Sequence, residues 1–147
     1  MVTIKEGNLL EATENIIGHQ CNCFTMGSGI AKQIVTKYPI VLLEHKRFVK
    51  NNDNVGALGR CQLVKIGTDK YIANLFGQYK YGFDKQYTRY DCLAESLIEL
   101  KAIAQYLNYS IALPYYIGAG RGGGDVNEIN KIIKDIFSDY SVTLYKL

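Results

Sequence analysis

The stretch "YSIALPYYIGAGRGGGDVNEINKIIKDIF" (residues 109–137) decides the fold class. It opens on "YSIALP" (109–114), an apolar run of strand length, and passes into a loop with five glycines between 118 and 124. It closes on a segment in which Val126, Ile129, Ile133, Ile136 and Phe137 recur at helical spacing. "SVTLYKL" (141–147) then reads as a further strand. Strand, helix and strand in succession point to an α/β chain. The glycines cost conformational entropy on folding, so their density implies tight backbone geometry or a ligand that approaches the main chain closely.

The same logic extends toward the N-terminus. "VTIKE" (2–6) alternates as a half-buried strand, and "NIIGHQC" (15–21) reads as a more buried one. After the loop "NCFTMG", a helix from about Ser28 puts Ile30, Ala31, Ile34, Val35 and Tyr38 on one face; Pro39 breaks it, and "IVLLEHKRFVKNN" resumes as a second helix. "RCQLVKIG" and "KYIANLFG" flank "TD" as a hairpin. A polar, Tyr-rich stretch (77–87) leads to a long helix whose Tyr90, Leu93, Ala94, Leu97, Ile98, Ala104 and Leu107 form one stripe. Strands interleaved with helices predict an α/β chain with a largely parallel or mixed sheet covered on both faces.

With 147 residues, 48% hydrophobic and 21% charged, the chain is read as one domain (1–147) able to bury a core without staples. The net charge of +3 tolerates an anionic ligand but does not argue for a nucleic-acid-binding surface. Cys21, Cys23, Cys61 and Cys92 form no C-x-x-C pair and are expected to be free thiols. No leader pattern opens the chain, and no apolar run approaches the roughly 20 residues of a membrane span. A soluble, cytoplasmic monomer with no membrane partner is expected.

Two loops fall at the carboxyl ends of strands and feed helices, "NCFTMGSG" and "PYYIGAGRGGGD". Ligands of open α/β sheets bind at such places, and helix N-termini favour anions, so a diphosphate clamped between the loops is predicted. The spacing Gly118-x-Gly120-x-x-Gly123 fits a dinucleotide fingerprint, but the strand that would carry its ribose-binding acid ends in "LYKL". No Gly-Lys-Ser/Thr, no Cys followed six residues later by Arg, and no strand-end D-x-D occurs. NTPase, dehydrogenase and common phosphatase chemistries are thereby set aside.

Taken in order, "EGNLL", "IIGHQCNCFTMGSGIAKQIVTKYP", "YIANLFGQ", "ALPYYIGAGRGGGD" and "VTLYKL" make the chain resemble the macrodomain family over nearly its whole length. The resemblance points most to the branch of ADP-ribose-1″-phosphate phosphatases and small terminal-ADP-ribose glycohydrolases. It implies a three-layer α/β/α sandwich with a mixed six-stranded sheet, no cofactor, and ADP-ribose or ADP-ribose-1″-phosphate as ligand, with ADP-ribosylated macromolecules as further partners. It also implies that Asn22 holds the distal ribose, that Gly27, Ser28 and Gly29 form the first phosphate loop, and that Gly118, Ala119, Gly120, Arg121 and Gly122 form the second. Leu9, Cys21, Ile30 and Ile117, their neighbours in these motifs, are expected in the lining. Asn8 stands where many members carry an aspartate for the adenine amino group; its amide oxygen could accept that bond instead. His19 stands where phosphatase-like members carry a candidate catalytic histidine. The lysine and aspartate of the glycohydrolases fall on Gln78 and Gly122, which can do neither job; Lys80 or Lys85 could reach in from the flexible stretch.

The expected chemistry is metal-free removal of the 1″-phosphate, with His19 transferring a proton, Asn22 fixing the ribose and Asp125 as a candidate base. The alternatives are a hydrolase acting on ADP-ribosylated protein or nucleic acid, and a reader of ADP-ribose or another NAD-derived nucleotide that turns nothing over. Each residue also has a plainer reading. His19 could be a satisfied core histidine. Asp125 begins D-V-N-E, a capping box in which Glu128 reaches back. Arg121 either lies in solvent or forks onto a terminal phosphate. Tyr115 and Tyr116 are the tyrosines best placed to line the cleft. His19, Cys21 and Cys23 alternate along one side of a strand at about 6.6 Å per step, too far apart to converge within about 2.3 Å of one zinc ion. No metal is expected.

Overall fold

The runs read as strands join into one mixed sheet in a computed structural model that describes residues 1–82, 84–119 and 122–147. In chain order the elements are β1 (Val2–Glu6), β2 (Ile16–Gln20), α1 (Gly29–Lys37), α2 (Pro39–Asn51), β3 (Cys61–Gly67), β4 (Lys70–Leu75), α3 (Tyr90–Leu107), β5 (Ile111–Pro114), α4 (Val126–Ile136) and β6 (Val142–Lys146). The sheet runs β1-β6-β5-β2-β4-β3, with β3–β4 the antiparallel pair and its neighbours parallel. The chain is therefore an α/β protein with a six-stranded mixed sheet between helical layers.

Alternation along the strands divides the core in two. Ile16, Leu75, Leu113 and Leu144 face α3 and α4 with Leu93, Leu97, Ile129 and Ile133. Ile17, Ile72, Ala112 and Tyr145 face the other way, with Ala31, Ile34 and Val41 of α1 and α2. Pro39 does not simply end a helix. It is the first residue of α2, and Tyr38 closes α1 and opens α2 at once. At that position proline loses no hydrogen bond, because the first N–H groups of a helix are unpaired anyway.

α3 is rotated from the predicted stripe. Its buried face is Cys92, Leu93, Ser96, Leu97, Leu100 and Ala104, while Ile98 and Leu107 are exposed. Ser96 can occupy the core because its hydroxyl donates to the Leu93 carbonyl at 2.8 Å. A stripe chosen by hydrophobicity alone passes over such a satisfied serine.

Candidate functional site: a crevice at the sheet's switch point

β2 and β5 are parallel neighbours, yet their outgoing connections leave to opposite faces, β2 toward α1 and β5 toward α4. A sheet opens at its carboxyl edge where strand order reverses in this way. The crevice there has a volume of about 440 Å³, within the usual range for a small-molecule site. The structure brings Asn8, Leu9, Cys21, Asn22, Gly27, Ser28, Gly29, Ile30, Tyr116, Ile117, Gly118 and Gly122 to its walls. Ala119 is packed against the core instead of lining the crevice. Gly120 and Arg121 lie outside the described residues.

The two loops meet the crevice differently. Ser28 precedes α1 and its hydroxyl makes no capping bond, so the first N–H groups of α1 remain available to an anion. α4 is not open in this way. Asp125 Oδ1 accepts from the N–H groups of Asn127 (2.8 Å) and Glu128 (3.3 Å), so the carboxylate itself occupies that helix end. Asp125 is thus an N-cap that does not line the crevice, a correction to its candidacy as a base. The predicted return bond from Glu128 is replaced: the Asp125 N–H donates to the Tyr90 hydroxyl at 3.0 Å. Asp125→Ala is expected to lower stability by about 1 kcal/mol. A denaturant titration checks this, and an unmoved midpoint would remove the cap.

The second loop reaches the crevice at Gly118 and Gly122. Gly118 has φ +73°, a conformation that favours glycine. At Gly122 an added Cβ would fall 2.2 Å from Thr88 Oγ1 and 2.7 Å from the Gly118 carbonyl oxygen. Here glycine is required by close packing of the loop on the crevice floor.

That floor is Gln20, a residue the sequence does not single out. Its Nε2 donates to Gln78 Oε1 (2.7 Å) and Thr88 Oγ1 (2.8 Å), and Thr88 donates on to the Gly118 carbonyl at 2.7 Å. One amide thereby ties the end of β2 to the 77–88 stretch and to the second glycine loop. Gln78 also lines the crevice, with its Nε2 donating to the Lys80 carbonyl.

Asn22 is committed on one side only. Its Oδ1 accepts from the N–H groups of Phe24 and Thr25, both at 2.8 Å, which closes the turn and leaves Nδ2 as a donor with no partner among the described residues. Asn8 is arranged in the same way: its Oδ1 already accepts from the Leu10 N–H at 3.0 Å. An amide oxygen has two lone pairs, so one remains for the bond expected from a base amino group.

His19 is the largest correction. Its side chain points to the α1–α2 face, fully buried, and is not part of the crevice wall. Its Nε2 lies 2.7 Å from Asn74 Oδ1, whose own Nδ2 donates to Gln62, so the imidazole Nε2 must carry the proton. Burial lowers its pKa to about 4, offset in part by the Asn74 bond. A neutral core imidazole with no path to the crevice is not a proton-transfer group for a ligand there. The thiols are equally inert: burial pushes Cys21 well above its ordinary pKa and Cys23 up to about 11. Among the described residues no group of three histidine, cysteine or acidic side chains is placed to hold a metal, and no helix is long and apolar enough to cross a membrane.

The second histidine is another residue the sequence leaves unmarked, although Val41, His45 and Val49 form the buried stripe of α2. His45 Nε2 lies 3.0 Å from the Asn22 carbonyl oxygen, directly beneath the turn.

An α/β/α sandwich with a glycine-lined crevice at its switch point is a small-ligand site of the open-sheet class. No family model matches the chain. It is 34% identical over 134 residues to the "Uncharacterized 17.5 kDa protein in tk-vs intergenic region" of Enterobacteria phage T4, covering 87% of this chain and 81% of that one. It is 26% identical over 140 residues to a Mycobacterium tuberculosis "DNA ADP-ribosyl glycohydrolase", covering 93% of this chain but only 39% of the relative. The Thermus aquaticus DarG macrodomain superposes with a TM-score of 0.79 at 28% identity, over 100% of this chain and 99% of that one. The chain has the macrodomain fold and is similar to macrodomains over its whole length.

Proposed function

We propose that the crevice binds ADP-ribose and that the protein removes the substituent on its distal ribose by metal-free hydrolysis. The observation that carries this reading is the turn at Asn22, which offers a bare amide donor beside two N–H-rich loops. The diphosphate lies between the start of α1 and the Gly118–Gly122 loop, where main-chain dipoles offset its charge. The distal ribose takes the polar end at Asn22, and the base takes the end walled by Leu9, Tyr145 and Leu147.

No lysine, histidine or carboxylate side chain lines the crevice among the described residues. Water is the nucleophile in this reading, and ADP-ribose-1″-phosphate is its favoured substrate. Water attacks phosphorus, the bond from phosphorus to the anomeric oxygen breaks, and one proton of the water ends on the departing sugar hydroxyl. His19 and Asp125 have no part in this scheme. A second reading is hydrolysis of an ADP-ribosyl link to a macromolecule, favoured by the name of the mycobacterial relative. Gln78 and Gly122 stand against a lysine-dependent version of it.

Phosphate release from ADP-ribose-1″-phosphate, run beside an ADP-ribosylated oligonucleotide, tests the reading. Asn22→Ala is expected to lower the rate on the true substrate by about a hundredfold, the scale of losing one preorganised donor. Turnover of the oligonucleotide alone selects the second reading, and failure to bind ADP-ribose at all removes both.

A further inference from the structure

We infer that His45 is a positioning residue for Asn22, acting from α2 through the main chain beneath the turn. Asn22 is useful only if its free Nδ2 points into the crevice, and the turn that aims it spans just Asn22 to Thr25. Such a turn is held to the body of the protein by what its carbonyls and N–H groups find below. Two consecutive carbonyls find donors on one platform: His45 Nε2 meets the Asn22 oxygen at 3.0 Å, and Asn54 Nδ2 meets the Cys23 oxygen at 2.7 Å. The Cys23 N–H is fixed separately, donating to the Tyr79 carbonyl at 3.0 Å.

The tautomer follows from the partner. A carbonyl can only accept, so His45 Nε2 carries the hydrogen, and its Nδ1 is left as a buried lone pair with no partner among the described residues. The core therefore tolerates an unsatisfied nitrogen in order to keep a donor under Asn22. An aliphatic residue continuing the Val41–Val49 stripe would fill the space without that donor. The ring is held in place by stacking on Phe76, centroids 5.5 Å apart at 23°, with Phe48 on the same ring at 5.3 Å. A rigid donor beneath a rigid turn sets where the Asn22 amide stands.

The inference rests on ADP-ribose as ligand for its functional consequence, but not for its structural one. In wild-type protein without ligand, ¹⁵N spectra of the imidazoles are expected to show His45 protonated at Nε2 and bare at Nδ1; the opposite tautomer overturns the assignment. In His45→Leu the amide signals of Phe24, Thr25 and the Asn22 side chain are expected to move while those of the sheet stay. ADP-ribose affinity is expected to fall about tenfold, the scale of one hydrogen bond. His45→Gln, which restores an N–H, is expected to recover affinity to within about threefold. Unmoved turn signals with full affinity in His45→Leu, or a folded His45→Gln as weak as the leucine variant, would overturn it. Wild-type protein that ignores ADP-ribose defeats the functional proposal instead, and the spectra still decide His45.

Discussion

Gly122→Ala is expected to weaken ADP-ribose binding by at least about a hundredfold, equivalent to about 2.7 kcal/mol. The new methyl would stand 2.2 Å from Thr88 Oγ1 and 2.9 Å from Gln20 Nε2. Neither atom is free to yield, since Gln20 donates to Thr88 and Thr88 donates to Gly118. The loop must lift from its floor, which moves the N–H groups meant for the diphosphate. Overpacking of this kind also costs about 1–3 kcal/mol of stability, so calorimetric affinity should be measured where the variant is still folded. Affinity within threefold of wild type would show that the loop does not grip the ligand. The same geometry bears on the glycohydrolase resemblance. An aspartate cannot be grafted at 122 by side-chain replacement alone, because its Cβ meets the same wall.

Acid is expected to destabilise the protein through His19. Its folded-state pKa of about 4 lies below the ordinary histidine value of 6.5, so the unfolded chain takes up the proton first. Its contribution is complete above about pH 6.5 and is lost as the pH falls toward 4, reaching about 3 kcal/mol. His45, also lowered by burial, acts with the same sign. Denaturant titrations at pH 7 and pH 4.5 should show a drop in wild type that is about 2–3 kcal/mol smaller in His19→Gln. Parallel pH curves for the two proteins would refute the core placement of His19.

The histidine illustrates where the sequence stops being informative. The order of elements along the chain, the two glycine loops and the α/β class follow from local patterns: period-two alternation, helical stripes and glycine clusters. The switch point does not follow in this way, because it exists only once β5 pairs beside β2. What the pattern cannot give is direction. His19 and Gln20 are adjacent at the end of one strand, yet one turns to the α1–α2 core and the other floors the crevice. Which face opens depends on β5 pairing beside β2, a contact across more than ninety positions. Asp125 was legible as a cap from D-V-N-E alone, and the cap is what it forms. His45 carried no local signal of function, since its role depends on a carbonyl in a distant loop.

The central claim is that two stretches of backbone on either side of the β2–β5 opening share one diphosphate. A crystal structure grown with saturating ADP-ribose tests it most directly. The expected density puts the diphosphate oxygens within hydrogen-bond reach of N–H groups at the start of α1 and in the Gly118–Gly122 loop, with Asn22 Nδ2 on the distal ribose. Ligand bound on another face, or a diphosphate touching only one of the two loops, would contradict the account.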